Sequence, residues 1–260
     1  MVWQKGILDF WTFFLLFIPS LVNFVVPAAI MHFAVPDVVP PAGGEKVPMR
    51  RGAQRVILLF LLTIVTAVSC HNFLHLPPVL GMMTGLAYLK IFSYYLKKTG
   101  ELTILPGESL ADAMPFDIYR KLARAEWDTL MFFYGVVLCV GGLGFIRYLA
   151  LISQMIYIDL GPTTANVLIA ILSAIVDNIP VMFAVLSMQP EMAQGQWLLV
   201  TLTAGVGGSL LSIGSAAGVA LMGQSKGMYT FASHLKWSWA VALGYAASIL
   251  IHLLLNASTF

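Results

Sequence analysis

Charge is what this sequence has least of. Only 10% of its 260 residues are charged, twelve acids and fourteen bases, while 59% are hydrophobic. The mean hydropathy is +0.87. Soluble domains carry about 25% charged residues, so this chain cannot cover a water-facing surface. A disordered or collagen-like chain is excluded by the same composition. The net charge of +2 is too small to hold a polyanion, and no nucleic-acid partner is expected. Cysteine is nearly absent too. Cys70 and Cys139 each sit inside an apolar run and are expected to be small buried residues rather than a disulfide. No cysteine-histidine cluster has metal-ligand spacing, which removes zinc and thiol-redox enzymes. What remains is an integral membrane protein whose first partner is the lipid bilayer.

Long apolar runs are plentiful. A helix crossing a hydrocarbon core of about 30 Å needs about 20 residues. Positions 10–31, 55–72, 77–96, 127–146 and 237–256 meet that need without interruption. The stretch 145–159 carries Arg147 and Asp159, is too short to cross, and reads as an interfacial helix. All six tryptophans fall near span ends, as an aromatic belt requires. The expected fold is therefore all-α and polytopic, with about six transmembrane crossings, one re-entrant helical hairpin and one broken helix. Positions 1–126 read as scaffold and linker helices. Positions 127–260 read as a transport repeat with the hairpin at 162–189 and the broken helix at 197–224.

The hairpin and the broken helix are inferred from two interrupted runs. The first, 163–188, is apolar except for Ser173, Asp177, Asn178 and Pro180 near its middle. Its arms, 163–176 and 181–189, reach about 21 and 14 Å at 1.5 Å per residue, short of a crossing. If this run turns back, the loops at 33–54, 97–126 and 225–236 share one side and hold most of the Lys and Arg; if it crossed, Lys226 and Lys236 would change sides. The positive-inside rule prefers the turn. The second run is interrupted by Gly205, Gly207, Gly208, Ser209, Ser212, Gly214, Ser215 and Gly218.

Asp177 is the one acid deep in an apolar run. A carboxylate there costs about 3 kcal/mol or more, and must face a polar cavity, pair with a base or hold its proton. Neither interrupted run supplies a Lys or Arg. Pro180 lacks an amide hydrogen, so carbonyls near 176 are freed, and in lipid they need a partner. A bound cation is one such partner; a plain proline kink is the other reading. The Gly207–Gly218 stretch is open in the same way, between an unwound ion site and tight small-residue packing. Two discontinuous helices side by side are how secondary transporters build midplane sites. The expected cation- and proton-binding set is Asp177, Asn178, Ser173, Ser212 and Ser215, with Asp177, Asn178, Ser212 and Ser215 as oxygen ligands to Na⁺. Pro180, Gly207, Gly208, Gly214 and Gly218 serve as hinge and backbone positions. No cofactor is expected beyond the transported Na⁺ or Li⁺ and H⁺. The five histidines read as interfacial, with His234 able to modulate a pH response.

Val2 through Phe10 and Gly223 through Phe231 echo one another: Gln, Lys-Gly and Phe recur before a long apolar span. On the topology above the two copies face opposite sides, as inverted repeats require. Together with Ser173-Ala174-Ile175-Val176-Asp177-Asn178-Ile179-Pro180, the glycine-serine stretch 207–218, the stretch 127–135 and His234-Leu235-Lys236-Trp237, the sequence resembles the NhaD-type sodium/proton antiporters of the ion transporter superfamily. The resemblance runs over essentially the whole chain. It implies a secondary transporter, not an enzyme, exchanging Na⁺ or Li⁺ for H⁺ in a bacterial inner membrane. Family members are about twice as long, so the chain corresponds to a C-terminal half. Its missing N-terminal half, or a homo-oligomer partner, would supply the other repeat. The alternatives are an anion carrier for carboxylate or arsenite, an inactive fragment, and an intramembrane hydrolase using Ser215 with His252.

Overall fold

The computed structural model describes residues 1–35, 52–99, 127–212, 214–225 and 227–260. Among them every regular element is helical. The chain forms two compact units, Met1–Val38 with Asp128–Phe260, and Val39–Trp127. In the smaller unit, α2 (Ala53–Leu74) and α3 (Pro78–Thr99) pack as an antiparallel pair. A Cβ on Gly85 would lie 2.1 Å from the Thr63 side chain, so the small residue sets how closely the two helices approach.

The larger unit begins with a 3₁₀ segment, Phe10–Leu16, started by Asp9, whose carboxylate accepts from the Trp11 amide, and continues as α1 (Phe17–His32). Next come α4 (Trp127–Phe145) and α5 (Tyr148–Ser153), the latter running into a π-helical turn, Gln154–Asp159. The axes of Leu130–Phe145 and Tyr148–Asp159 differ by 82°, at a break where Arg147 adopts φ 61°. Then follow α6 (Pro162–Ile175), α7 (Asn178–Met188), α8 (Gln194–Leu211), α9 (Ala216–Gln224), α10 (Phe231–Leu235) and α11 (Ser238–Leu255). Among the described residues four helical stretches are long and apolar enough to cross a membrane, and the bent 130–159 pair makes up to five. The sixth expected crossing, at 197–224, is not among these; its residues form the interrupted pair α8 and α9. The protein is an all-α, polytopic integral membrane protein.

Hydrogen bonds give the direction of the chain around the first interruption. Asn166 Nδ2 donates to the Gln196 backbone and side-chain oxygens at 3.0 and 2.9 Å, and Ser173 Oγ donates to the Ala204 carbonyl at 2.7 Å. Both partners advance together, so α6 and α8 run parallel. The segment joining α7 to α8 returns to the start of α6, where Met192 Sδ lies 3.6 Å from Asn166 Nδ2. α7 therefore retraces α6. The stretch 162–188 is a hairpin that turns at Val176 and Asp177.

Tyr157, Asn166, Gln196 and Thr163 form one hydrogen-bonded cluster at the open end of that hairpin. Asn166 is fully buried. Asn166→Leu strips the donor from two Gln196 oxygens, which costs about 1–3 kcal/mol. Thermal unfolding in detergent should show a lower midpoint. α11 closes the unit through Tyr245, whose hydroxyl donates to the Val167 carbonyl, and through its close approach to α1 at Gly244.

Three sequence expectations change. Trp197 is 6% exposed and belongs to the core between α6 and α8, not to an interfacial belt. Its α8 neighbours Leu198, Leu199 and Val200 are fully buried, so this end of the helix is covered by protein on every side. Cys139 is exposed on α4 rather than buried, as an apolar helix face turned to lipid permits. His252 is completely buried. Its Nε2–H donates to the Gly195 carbonyl at 3.1 Å and its Nδ1 accepts from Asn256 Nδ2 at 2.9 Å. Gly195 lies at the start of α8 and Ser215 beyond its end, a separation of about 24 Å or more along the helix. Ser215 and His252 form no catalytic pair.

Candidate functional site: the hairpin tip against the broken helix

The hairpin turns because its residues cannot continue one helix. Val176 is extended (φ −109°, ψ 140°), and Asp177 (φ −49°, ψ 143°) is the N-cap of α7, its carboxylate accepting from the Ile179 amide at 3.4 Å. Pro180 then falls in the first turn of α7, where an amide hydrogen has no intrahelical partner in any case. It is not a kink inside a longer helix. It helps a second helix to start, and the Asp side chain satisfies one of that helix's orphan amides. Pro180 is buried, and Asp177 and Asn178 are half-buried.

α8 stops at Leu211. Ser212 takes a left-handed conformation (φ 62°), and the chain resumes as α9 after Ser215. A non-glycine residue in that region costs of order 1 kcal/mol, and it persists where its surroundings fix it. Ser212 is 3% exposed. The turn folds back on its own helices: an added Cβ on Gly208 would meet the Gly214 carbonyl at 2.5 Å, and one on Gly218 the Ser212 carbonyl at 2.3 Å.

The two interruptions touch. A Cβ on Gly214 would lie 2.2 Å from the Ser173 carbonyl oxygen and 2.6 Å from that of Ala174, and one on Gly207 would meet the Ala170 carbonyl at 2.5 Å. Only glycine allows this approach. The Ser173 and Ala174 carbonyls belong to the last turn of α6, which has no further helical amides to accept from. Ala204, the partner of Ser173, lies about 15 Å along α8 from its start. Ser173 is fully buried, so its hydroxyl is committed to the Ala204 carbonyl. Among the described residues no hydrogen bond links Asp177 or Asn178 to Ser212 or Ser215.

A cavity of about 390 Å³ opens beside the tip, lined among others by Trp3, Phe13, Asn178, Met182, Thr201 and Gly205. Its wall is largely apolar, with Asn178 and Thr201 as polar exceptions. Freed carbonyls near 176 and a role for His234 were expected from the sequence, but the contacts of Tyr229, His234 and Ser238 with the end of α8 were not. A helix ending in the bilayer must find donors for its last carbonyls. That need was legible, but which distant residues meet it was not.

The model of the family described as citrate transporter, CitMHS, matches residues 4–205. The Na⁺/H⁺ antiporter NhaD of Alkalimonas amylolytica is 55% identical over 278 aligned residues, which take in all of this chain and 56% of that protein. NhaD of Vibrio cholerae is 55% identical over 273, covering all of this chain and 57% of the relative. Sodium/proton antiporter 1 of Arabidopsis thaliana is 31% identical over 251, covering 92% of this chain and 41% of the relative. The chain thus spans little more than half the length of the bacterial relatives it matches. No solved structure matches it. With its family model covering most of the chain, this protein belongs to the CitMHS transporter family.

Proposed function

We propose that the chain carries a cation/proton exchange site, at which Na⁺ or Li⁺ and H⁺ compete for the carboxylate of Asp177. Support comes from the contact between the hairpin tip and the broken helix. There Gly214, in the turn between Ser212 and Ser215, lies against the Ser173 and Ala174 carbonyls, and Asp177 follows Ala174 by three residues in the chain. Every one of these ligands is oxygen, which suits hard alkali cations. A carboxylate oxygen that carries a proton has no charge left to hold a metal ion, so the two exclude one another there. Exchange follows if the site faces one side at a time. In this reading Asn178 and the cavity beside it form the approach, and no group acts as an enzyme would.

The family description favours an anionic cargo, and the residues argue against it. No Lys or Arg occurs between positions 162 and 224, where both interruptions lie. A citrate ion there would meet Asp177 with no cation to hold it. The inverted echo between the 2–10 and 223–231 stretches and the greater length of the relatives support completion of the site by a second repeat. Further chain or a second copy would supply it, in a bacterial inner membrane.

In everted membrane vesicles holding this chain, Na⁺ and Li⁺ should each discharge a pre-formed proton gradient, whereas K⁺ and citrate should not. Citrate accumulation without a Na⁺-driven proton signal, or no response to any of the four, would overturn the reading for this chain.

A further inference from the structure

The end of α8 is held by residues that the exchange reading does not use. Its Ser209 carbonyl lies 2.9 Å from His234 Nε2, and its Leu210 carbonyl accepts from Ser238 Oγ at 2.7 Å. A carbonyl has no hydrogen to give, so Nε2 of His234 carries one. In the neutral imidazole Nδ1 is then an acceptor, and the Tyr229 hydroxyl, 2.5 Å away, donates to it. The Tyr229 oxygen stands 3.5 Å from Ser212 Oγ, at the outer reach of a hydrogen bond. Tyr229 cannot drift, because Ser225 Oγ accepts from its amide at 3.2 Å and donates to its carbonyl at 3.1 Å.

We propose that Tyr229 and His234 are positioning residues of the exchange site, acting through Ser212; this rests on the reading of Ser212 as a cation ligand. With His234 neutral, the hydrogen bonds run from Ser212 to Tyr229 to Nδ1. The Ser212 hydrogen then points away and both its lone pairs face a cation. When Nδ1 takes a proton, it donates to Tyr229, whose own hydrogen turns to Ser212 and occupies one of those lone pairs. Protons at His234 and at Asp177 then oppose Na⁺ together. Among the described residues, the titratable groups in His234's own segment are Tyr229 and Lys236, and Asp177 stands at the hairpin tip. α8 and α9 carry none. α11 carries Tyr245 and His252, which are bonded to the Val167 and Gly195 carbonyls.

The internal echo separates this role from a merely structural one. Gly6 and Gly227 share a positive φ, 72° and 88°. Asp9 and Thr230 each cap the helical segment that starts at Phe10 and Phe231. Where the second copy has Tyr229 and His234, the first has Leu8 and Phe13, and Leu8 is buried in the core. The turn is therefore built without the pair. The pair occurs in the copy that reaches the break itself, at Ser209 and Ser212.

The test is Na⁺ binding by the purified chain, read from Na⁺-dependent thermal protection between pH 6 and 8, in wild type, Tyr229→Phe, His234→Gln, Ser212→Ala and Asp177→Asn. His234→Gln keeps an N–H for the Ser209 carbonyl and does not titrate. In wild type the half-saturating Na⁺ concentration should climb as pH falls, and more steeply than in the two relay variants, since a proton at His234 opposes binding. Tyr229→Phe and His234→Gln should weaken binding about fivefold at pH 8, one hydrogen bond's worth, and make the slope shallower than that of the wild type. Wild-type slopes in both variants, or weaker binding with an unchanged slope, would overturn the proposal while leaving the site reading intact. Wild-type Na⁺ binding in Ser212→Ala and Asp177→Asn, or none in the wild type, would overturn the site reading and the relay with it.

Discussion

Asp177→Asn should reduce Na⁺-driven proton movement to that of vesicles without the protein, while the variant remains folded in the membrane. The reason is local. Asn keeps an oxygen that can accept from the Ile179 amide, and Asn is as good an N-cap as Asp, so the hairpin turn survives. The titrating oxygen pair does not survive. Neither a proton nor the charge that draws a sodium ion remains at the tip. Full exchange by Asp177→Asn would remove this residue from the mechanism. Loss of the protein from the membrane would show instead that the carboxylate is needed for folding.

Gly214→Val should have the second-largest effect, and for a reason unrelated to charge. The branched side chain would sit against the Ser173 and Ala174 carbonyls, where even one carbon comes within 2.2 Å of an oxygen. Backbone carbonyls cannot swing aside as a flexible side chain does, so the hairpin tip must move away from the broken helix. Overpacking of this kind costs about 1–3 kcal/mol or more. Exchange should be lost even at temperatures where the variant stays folded, because the two interruptions no longer meet. Gly223→Ala is the control: nothing lies within 4 Å of an added Cβ there, and both stability and exchange should stay near wild type. Wild-type exchange by Gly214→Val would mean that contact between the interruptions does not matter for transport.

Much of this arrangement could be read from composition and spacing. Sparse charge gave the membrane, run length gave the spans, and a lone acid followed by Asn-x-Pro marked the turn of the hairpin. Two short arms and the sides of Lys226 and Lys236 gave its return, and the parallel course of α6 and α8 agrees. The role of Pro180 was only half legible, because a proline that breaks one helix and a proline that opens the next look alike in sequence. Trp197 and His252 were misread for a different reason. Position relative to a span end says how deep a residue lies, not whether protein or lipid covers it. Contacts across long separations, such as His234 with Ser209 or Gly214 with Ser173, leave no periodic mark in the chain. They follow from how the helices pack.

The most direct measurement is a count of protons released when Na⁺ is added to the purified, weakly buffered protein over a range of pH. Competition for the Asp177 carboxylate requires that Na⁺ and Li⁺ each expel protons, that K⁺ expel none, and that Asp177→Asn be silent. Saturable Na⁺ binding that expels no proton at any pH where the wild type binds would contradict the exchange site at its root.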